Sequence, residues 1–508
     1  MGFAKRYLEN FEGDQYSPQA LAYLATLDAL SADCPQIAEA ILGELAAQRN
    51  TLKMIASENY SSLNVQLAMG NLLTDKYAEG YAHHRFYAGC ENIDTVEDLA
   101  TSELKKLFGC DHAYVQPHSG VDANLVAFWS IIVQRVQNKE MERFDCKSVF
   151  DLSDDQYERI RQGMVNQKVL GMSLNSGGHL THGFRHNISS KMMQAHTYDV
   201  DPKTQLLDYD EIARRAKEVK PLILLAGYSA YPRLIDFAKM RQIADDVGAT
   251  LMCDMAHFAG LVAGKAVTGN FNPIPFAQVV TSTTHKTLRG PRGGVVMCTS
   301  EFADMVDKGC PTVLGGPLPH VMAAKAIAFQ EANTQEFQAY AAQIIRNSKA
   351  LADRLKKQGV HLTTGGTDNH LIVIDVMQSF GITGLQAEHA LTMGGITVNR
   401  NAIPFDPNGA WYTSGVRIGT PALTTRGLKE DAMHKIADCI IELLKSAKPT
   451  IVMKTGQPSR AKVALEESAL AKVQAEVKDL LKSYPLYPEL HLEESEHVRR
   501  EKTTVVSS

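Results

Sequence analysis

The feature that most constrains the fold is a region, from about 113 to 300, in which short apolar runs alternate with helical segments. Predicted strands lie in PLILLAGYSAY, ATLMCDM and QVVTSTTHK. Between the first two, Met240, Ile243 and Val247 fall on one helical face, and Gly248 ends that helix. Strand–helix–strand alternation of this kind predicts an α/β fold whose sheet is largely parallel and covered by helices on both faces.

The rest of the chain divides around this region. We predict an N-terminal arm over 1–75, which begins with two helical stretches, and a large domain over 76–330. A polar stretch at about 137–168 has the composition of a surface insertion. A smaller C-terminal domain is predicted over 331–480, where a helix-rich stretch leads into the strand-like HLIVIDV. Glu, Arg, Lys and Ser dominate 481–508, which predicts a loosely attached charged tail.

Composition excludes several classes of protein. A net charge of −5, with basic residues dispersed along the chain, gives no attraction to nucleic acid or to anionic membranes. The eight cysteines are widely spaced and include no C-x-x-C pair, which argues against a disulfide framework or a zinc knuckle. Neither a secretory signal nor an apolar stretch of membrane-spanning length is present in the sequence. A cytoplasmic location is therefore expected.

Lys286 is the first candidate for chemistry. It directly follows a predicted strand, in TSTTHKTLRGPRGG, and precedes a glycine-rich turn. Burial favours the neutral amine of a lysine, which is the form that makes a Schiff base with an aldehyde cofactor. The alternative is an ordinary surface lysine, because lysine is mostly exposed.

Asp254 ends the preceding strand, in LMCDMAHFAGLV, and its apolar neighbours mean that its carboxylate needs a partner. A protonated pyridine nitrogen would suit, and keeping that nitrogen protonated makes the ring an electron sink. The alternative is a helix N-cap. His257 could hydrogen-bond near the same cofactor or fill a polar slot in the core.

Two glycine-containing turns could complete a cofactor site. Ser119 and Gly120 lie between a short strand and a helix, where backbone N–H groups favour an anion such as phosphate, although such a turn is also a common helix start. His179 follows two glycines in SGGHLTHG and could stack on a flat ring. His179 and His182 could instead bind a metal. Ser229, in AGYSAY, could donate to the cofactor or cap a turn.

Arg417 and Glu79 are the candidates for substrate binding and proton transfer. Arg417 lies between apolar residues in SGVRIGT, so its guanidinium needs an anion, either a substrate carboxylate or an internal salt-bridge partner. Glu79 is flanked by Tyr77 and Tyr87, and aromatic surroundings disfavour the ionised carboxylate, which suits proton transfer. A solvated loop glutamate is the alternative.

These segments, taken together and in this order, resemble the serine hydroxymethyltransferase family. The matching stretches include KYAEGYAHHRFYAGCE, VQPHSG, SGGHLTHG, CDMAHFAGLVA, STTHKTLRGPRGG and TSGVRIGTPALTTRG, and they span about 52 to 426. The resemblance implies fold type I of the pyridoxal 5'-phosphate (PLP) enzymes, with a mostly parallel seven-stranded sheet and a smaller α+β C-terminal domain. It implies reversible conversion of L-serine and tetrahydrofolate to glycine and methylene-tetrahydrofolate by a homodimer. A related PLP enzyme, such as a threonine aldolase or an amino-acid racemase, is the alternative.

The resemblance also implies residue roles. Lys286 would hold PLP covalently, Asp254 would pair with the ring nitrogen, and His179 would stack on the ring. Other cofactor contacts are implied for Ser119, Gly120, Ser229, His257 and His285, and for Gly316 from a neighbouring subunit. Substrate contacts are implied for Ser57, Tyr77 and Arg417, for Tyr87 and the proton-transferring Glu79 from the partner subunit, and, at the folate, for Leu174, Gly178, Leu180 and Asn401. No metal is implied. The chain departs from the family at Val121, where a second phosphate-turn serine is usual.

Overall fold

The computed structural model describes residues 2–11 and 15–492. Among the described residues up to 50, the N-terminal arm contains three helices rather than the two predicted stretches. They are α1 (Phe3–Leu8), α2 (Pro18–Asp33) and α3 (Pro35–Asn50). Pro35 separates α2 from α3, because a residue before proline avoids the helical region, and Cys34 has φ −142° and ψ 84°. The additional helix, α1, is short, and the Asp28 carboxylate accepts hydrogen bonds from its first two N–H groups.

The central part of the chain alternates strands and helices. Its elements are β1 (Leu52–Lys53), α4 (Leu63–Leu67), β2 (Gly80–Tyr81), β3 (His84–Arg85), α5 (Glu91–Phe108), β4 (His112–Tyr114), α6 (Gly120–Ile132), α7 (Asn138–Arg143), α8 (Asp154–Val165), β5 (Lys168–Met172), α9 (Ser189–Met192), β6 (Gln194–Tyr198), α10 (Tyr209–Val219), β7 (Ile223–Gly227), α11 (Phe237–Val247), β8 (Thr250–Asp254), α12 (Ala259–Ala263), β9 (Val279–Thr283), β10 (Gly294–Cys298), α13 (Ala303–Asp307) and α14 (Pro319–Ala332).

Seven of these strands form one sheet in the order β4-β10-β9-β8-β7-β5-β6, and only β10 runs antiparallel to its neighbours. The predicted α/β fold with a mostly parallel seven-stranded sheet is therefore confirmed. Strands β7 to β10 are buried along their whole length, as helices on both faces require. Asp254 ends β8 and Lys286 follows β9, so both lie at the carboxyl edge, where parallel sheets bind ligands.

The C-terminal elements surround a second, smaller sheet. They are α15 (Gln335–Lys357), β11 (Leu371–Asp375), α16 (Val376–Phe380), α17 (Gly384–Met393), β12 (Ile396–Thr397), β13 (Asn399–Asn401), α18 (Gly409–Tyr412), β14 (Gly415–Gly419), α19 (Pro421–Thr425), α20 (Glu430–Ser446), β15 (Lys448–Ile451), β16 (Pro458–Ala464) and α21 (Glu467–Ser483). The antiparallel order is β11-β14-β13, with Arg417 on the central strand. β1, which falls within the predicted arm, pairs with β12 through Leu52 and Ile396.

The segment predicted as a surface insertion, 137–168, is partly built into the core. It is mostly helical, and Ile160 and Met164 on α8 are buried against the apolar cluster on one face of the large sheet. Lys168 is the first residue of β5. The predicted insertion therefore includes residues that belong to the core of the large domain, because a polar composition conceals the two apolar residues that anchor α8.

The predicted charged tail, 481–508, begins with packed residues. Leu486 and Leu490 are buried, and Leu490 packs with the apolar side chains of the N-terminal arm. The prediction of a loose tail is thus wrong for 481–492, and 493–508 lie outside the described residues. No helix in the described part of the chain is both long and apolar enough to cross a membrane.

Truncating a side chain in the middle of the large sheet should destabilise the protein far more than truncating one on its surface. Met252, on β8, is fully buried, whereas Met453 is 96% exposed. We expect Met252→Ala to lower the free energy of unfolding by about 2–5 kcal/mol. Met453→Ala should change it by less than about 0.5 kcal/mol. Urea unfolding followed by circular dichroism measures both, and equal midpoints for the two variants would contradict this account of the core.

Candidate active site

A cavity of about 430 Å³ opens at the carboxyl edge of the large sheet. Its lining brings together distant parts of the sequence: Ser57, Glu58, Ser119, Gly120, Val121, His179, Tyr228, Ser229, Asp254, Ala256, His257, Thr283, His285, Lys286, Arg292 and Arg417. Two larger cavities of the described structure, of about 810 and 850 Å³, contain neither Lys286 nor Asp254, and the second of them shares only His179 with this one. The smaller cavity is therefore the candidate active site.

Lys286 is buried in this cavity, and no side-chain hydrogen bond from the described residues contributes to the pKa of its amine. Its backbone is fixed, because its carbonyl accepts a hydrogen bond from Asn59 Nδ2 at 2.9 Å. Burial lowers the pKa of Lys286 to about 8; the Asp254 carboxylate opposes this shift, and the charges of Arg417 and Arg292 add to it. The amine is thus closer to its neutral, nucleophilic form at neutral pH than an exposed lysine is.

Asp254 is a buried carboxylate that remains ionised. Its Oδ2 accepts hydrogen bonds from Asn124 Nδ2 at 2.9 Å and from His182 Nε2 at 3.3 Å, and its Oδ1 accepts from the Ala256 N–H at 3.1 Å. Burial alone would raise the pKa of Asp254, but the hydrogen bond and charge of His182, with a smaller contribution from the hydrogen bond of Asn124, hold that pKa below its ordinary value. The cavity therefore contains a fixed negative charge.

His179 and His182 lie close to the carboxylate of Asp254 in the folded protein. The ligand atoms of His179, His182 and Asp254 lie within 4.8 Å of one another. His182 already bonds Asp254, however, and Nδ1 of His179 lies 2.8 Å from Thr181 Oγ1. Burial lowers the pKa of His179 to about 4, so its ring is neutral. Within the described residues, this group therefore forms a hydrogen-bonded cluster around the carboxylate of Asp254.

The turn before α6 has the geometry of an anion site. Ser119 is the N-cap, and its Oγ accepts a hydrogen bond from the Asp122 N–H at 3.2 Å. A Cβ at Gly120 would lie 2.6 Å from Thr283 Cγ2, so only glycine fits against β9. Val121, which stands where the resembling family usually has serine, lines the cavity. Backbone N–H groups and the helix dipole therefore provide most of the attraction for an anion.

Arg417 reaches the same cavity from the smaller sheet. Its Nη1 donates to the Ser229 carbonyl at 2.6 Å, and its Nε donates to Asn399 Oδ1 at 3.2 Å. Burial lowers its pKa to about 10. No carboxylate of the described residues lies within salt-bridge distance of this guanidinium. The internal salt bridge, which was the alternative prediction for Arg417, is thus not formed among the described residues. The positive charge of Arg417 is therefore available to an anionic ligand.

Some residues singled out from the sequence lie outside this cavity. Tyr77, Glu79, Tyr87 and Gly316 do not line it. The rings of Tyr77 and Tyr87 are 5.0 Å apart and exposed, and a Cβ at Gly316 would lie 3.4 Å from the Tyr77 ring. The residues that match folate positions also lie outside its lining: Leu174, Gly178, Leu180 and Asn401.

Several neighbours of the cavity were not assigned such roles from the sequence. These are Asn124 and His182, which bond Asp254, the cavity-lining Arg292, and the buried His370 and Lys325. Lys325 lies on the apolar helix α14, and a single lysine within the apolar segment AAKAIAF is the sequence feature that could have indicated its burial. Its Nζ donates to the carbonyls of Val115, Pro117 and Gly294 at 2.6, 3.0 and 2.9 Å. These bonds join the end of β4 to the start of β10, beside the Ser119 turn.

The sheet, with a buried lysine and an ionised aspartate at the ends of adjacent strands, has the architecture of the fold-type I PLP-dependent enzymes. Comparison with known proteins narrows this class. The family model for serine hydroxymethyltransferase matches residues 30–142 and 157–440. The chain belongs to the serine hydroxymethyltransferase family.

Individual relatives are similar in sequence to this chain along nearly its whole length. A serine hydroxymethyltransferase of Cutibacterium acnes is 56% identical over 473 residues, which cover 93% of this chain and 96% of that protein. One of Mycolicibacterium smegmatis is 56% identical over 481 residues, 94% of this chain and 97% of that protein. One of Treponema pallidum is 54% identical over 486 residues, 96% and 84% of the two chains. These similarities favour hydroxymethyl transfer over the aldolase or racemase alternative.

The lowered pKa of Lys286 predicts the pH dependence of its reactivity. In protein without a bound ligand, the rate of acylation of Lys286 should rise with pH around a midpoint near 8, because the amine loses its proton there. Asp254→Asn should move that midpoint to lower pH, since the carboxylate charge raises the pKa of the amine. Peptide mass spectrometry can follow the modification, with the exposed Lys454 as internal reference. An unchanged midpoint in Asp254→Asn would contradict the coupling of these two groups.

Proposed function

We propose that the chain converts L-serine and tetrahydrofolate reversibly to glycine and methylene-tetrahydrofolate, with PLP attached to Lys286. The observation that carries this proposal is that one cavity holds the amine of Lys286, the ionised Asp254 and the uncompensated guanidinium of Arg417. Amino-acid chemistry on PLP needs these three groups: a covalent anchor, a partner for the ring nitrogen and a binding site for the substrate carboxylate.

The free groups of the cavity fit PLP. The amine of Lys286 lines the cavity, and Nδ1 of His285 is buried without a hydrogen bond in the described part of the chain. The Ser119–Gly120 turn offers N–H groups to the phosphate, and Asp254 offers a negative charge to the ring nitrogen. His179 would cover one face of the ring. When bound, PLP supplies an electron-withdrawing ring that stabilises negative charge at the substrate α-carbon.

The protein's own contribution to substrate binding centres on Arg417. Two of its nitrogens are fixed by Ser229 and Asn399, so the guanidinium is oriented before a ligand arrives. The fork can donate two hydrogen bonds to a carboxylate in bidentate fashion, and Ser57 lines the same cavity. Because the carboxylate is then held in one position, the orientation of the substrate hydroxymethyl group is restricted as well.

Proton transfer in this proposal comes from a second copy of the chain. Glu79, Tyr77 and Tyr87 lie outside the cavity, and the tyrosine side chains are 57% and 46% exposed. Phe86, next to Tyr87, is 68% exposed. An exposed aromatic cluster of this kind is suited to an interface. We propose a homodimer in which Glu79 of the partner subunit handles the proton of the substrate hydroxyl, and Gly316 of the partner subunit contacts the phosphate.

The folate would lie beside Leu174, Gly178, Leu180 and Asn401, since Leu174 and Leu180 are 38% and 45% exposed and offer apolar contact to a flat ring system. A threonine aldolase or a racemase has no need of that surface. We propose a cytoplasmic location, consistent with eight cysteines that are all free.

The requirement for folate tests the reaction itself. Purified protein should form glycine from serine only when tetrahydrofolate is present, and Lys286→Ala should abolish this activity. Equal rates with and without tetrahydrofolate would instead favour the aldolase or racemase.

Replacing Arg417 should weaken the use of serine specifically. Loss of two charge-assisted hydrogen bonds of about 1.5–3 kcal/mol each predicts a fall in kcat/KM for serine of at least about 100-fold in Arg417→Leu. Arg214→Leu is a suitable control, because that arginine side chain is 63% exposed on the surface. Steady-state kinetics with varied serine measures both variants. A normal KM for serine in Arg417→Leu would overturn the assignment.

Mixing two inactive variants tests the shared site. Glu79→Gln and Lys286→Ala should each be nearly inactive. Random reassociation of the two subunits should restore about a quarter of the wild-type activity, because half of the dimers are hybrids and each hybrid has one intact site. If mixing restores nothing while light scattering shows that hybrids form, Glu79 does not act across the interface.

A further inference from the structure

His370 is a buried histidine that contacts the active site from the smaller sheet. It directly precedes β11, and its Nε2 lies 3.2 Å from Nδ1 of His257. The ring centroids are 5.4 Å apart and the ring planes are inclined by 27°, so the rings meet edge to edge, as an N–H···N hydrogen bond requires. His257 lines the cavity with Lys286 and Asp254, whereas His370 does not. His370 can therefore act on the chemistry only through His257.

The position of His370 is fixed by its neighbours. Its carbonyl accepts a hydrogen bond from the Thr420 N–H at 3.1 Å, just beyond β14. Asn369 Nδ2 donates to Tyr228 Oη at 3.1 Å and to the Tyr231 carbonyl at 3.1 Å. The residues around His370 are thus bonded both to the smaller sheet and to the segment that follows β7. The contact between the two rings therefore belongs to the interface between the smaller sheet and the large sheet.

Both imidazoles are neutral. Burial, with the charges of Lys286 and Arg417, holds the pKa of His257 well below its ordinary value; His370 and His179 contribute in the same direction. Burial, with Arg417 and Lys286, lowers the pKa of His370 to about 3. A neutral imidazole has one N–H and one acceptor nitrogen. One ring must therefore donate to the other, which leaves two possible arrangements.

The surroundings of Nδ1 of His370, the ring nitrogen that does not face His257, decide between these two arrangements. If His257 donated, the proton of His370 would sit on Nδ1, which is buried and has no hydrogen-bond partner in the described part of the chain. A buried N–H without an acceptor is rarer than an acceptor without a donor. The favoured arrangement has Nε2–H of His370 donating to Nδ1 of His257. His257 then carries its own proton on Nε2.

We propose that His370 is a positioning residue that fixes His257 as the tautomer protonated on Nε2, so that the cavity presents a neutral N–H donor to the cofactor. The inference rests on the proposed function for the identity of that ligand. The anionic phenolic oxygen of PLP is the acceptor whose chemistry suits this donor. A tautomer fixed before binding avoids the cost of selecting it when the cofactor arrives.

The tautomer can be read directly by nitrogen NMR of PLP-loaded protein labelled only in its histidine rings. His370→Gln keeps a side-chain N–H donor at a similar distance from the backbone, whereas His370→Leu removes it. We expect His257 to be protonated on Nε2 in the wild type and in His370→Gln, and to give a mixture of tautomers in His370→Leu. The loss of the signal in His257→Asn assigns the resonance.

The same proteins should differ in how firmly they hold the cofactor. We expect PLP to dissociate about tenfold faster from His370→Leu than from the wild type, as loss of one hydrogen bond predicts, and at most about twofold faster from His370→Gln. Asn347→Leu is the matched control, because this substitution also removes buried hydrogen bonds, to Thr424 and Leu428, but away from the cavity. It should leave the dissociation rate unchanged.

Three results would overturn the proposal: a proton on Nδ1 of His257 in the wild type, an unchanged PLP dissociation rate in His370→Leu, or equal impairment of His370→Gln and His370→Leu. A wild type that takes up no PLP would refute the proposed function instead. The tautomer of His257 can still be measured in that protein, so the two failures are distinguishable.

Discussion

The site depends on one buried negative charge, the carboxylate of Asp254 at the end of β8. A carboxylate in such a position is unfavourable unless hydrogen bonds and opposite charge compensate for the lost water. Here Asn124 and His182 supply the hydrogen bonds, and the lysine on the adjacent strand end is the nearby cationic group. The charge in turn limits how far burial lowers the pKa of Lys286, so the two groups have to be understood together.

The surrounding architecture holds these groups in place. The parallel strands β7, β8 and β9 bring their carboxyl ends to one edge, and the reversed strand β10 returns the chain so that Gly294 packs against the turn at Ser119. Lys325 secures this return with three hydrogen bonds. The smaller sheet then contributes Arg417 and His370 from the other side. The cavity is therefore the meeting point of two sheets rather than a feature of one.

Local signals made much of this predictable from sequence. Alternation of strands and helices gave the sheet, and Lys286, Asp254 and Arg417 were recognisable because each is a charged residue at a strand end or within a strand. The hydrogen-bond partners of Asp254 were not recognisable, since Asn124 and His182 reach it from elements far away in sequence. The packing of helix α8 and of Leu486 and Leu490 is hidden for the same reason: a polar composition does not show which few apolar residues pack against a distant part of the chain.

The most direct test of the central claim is to locate the covalent link between protein and cofactor. Wild-type protein incubated with PLP can be reduced with borohydride, digested and analysed by peptide mass spectrometry. The account predicts that the reduced pyridoxyl group is found on Lys286. A label on another lysine, or no label in a correctly folded protein, would contradict it.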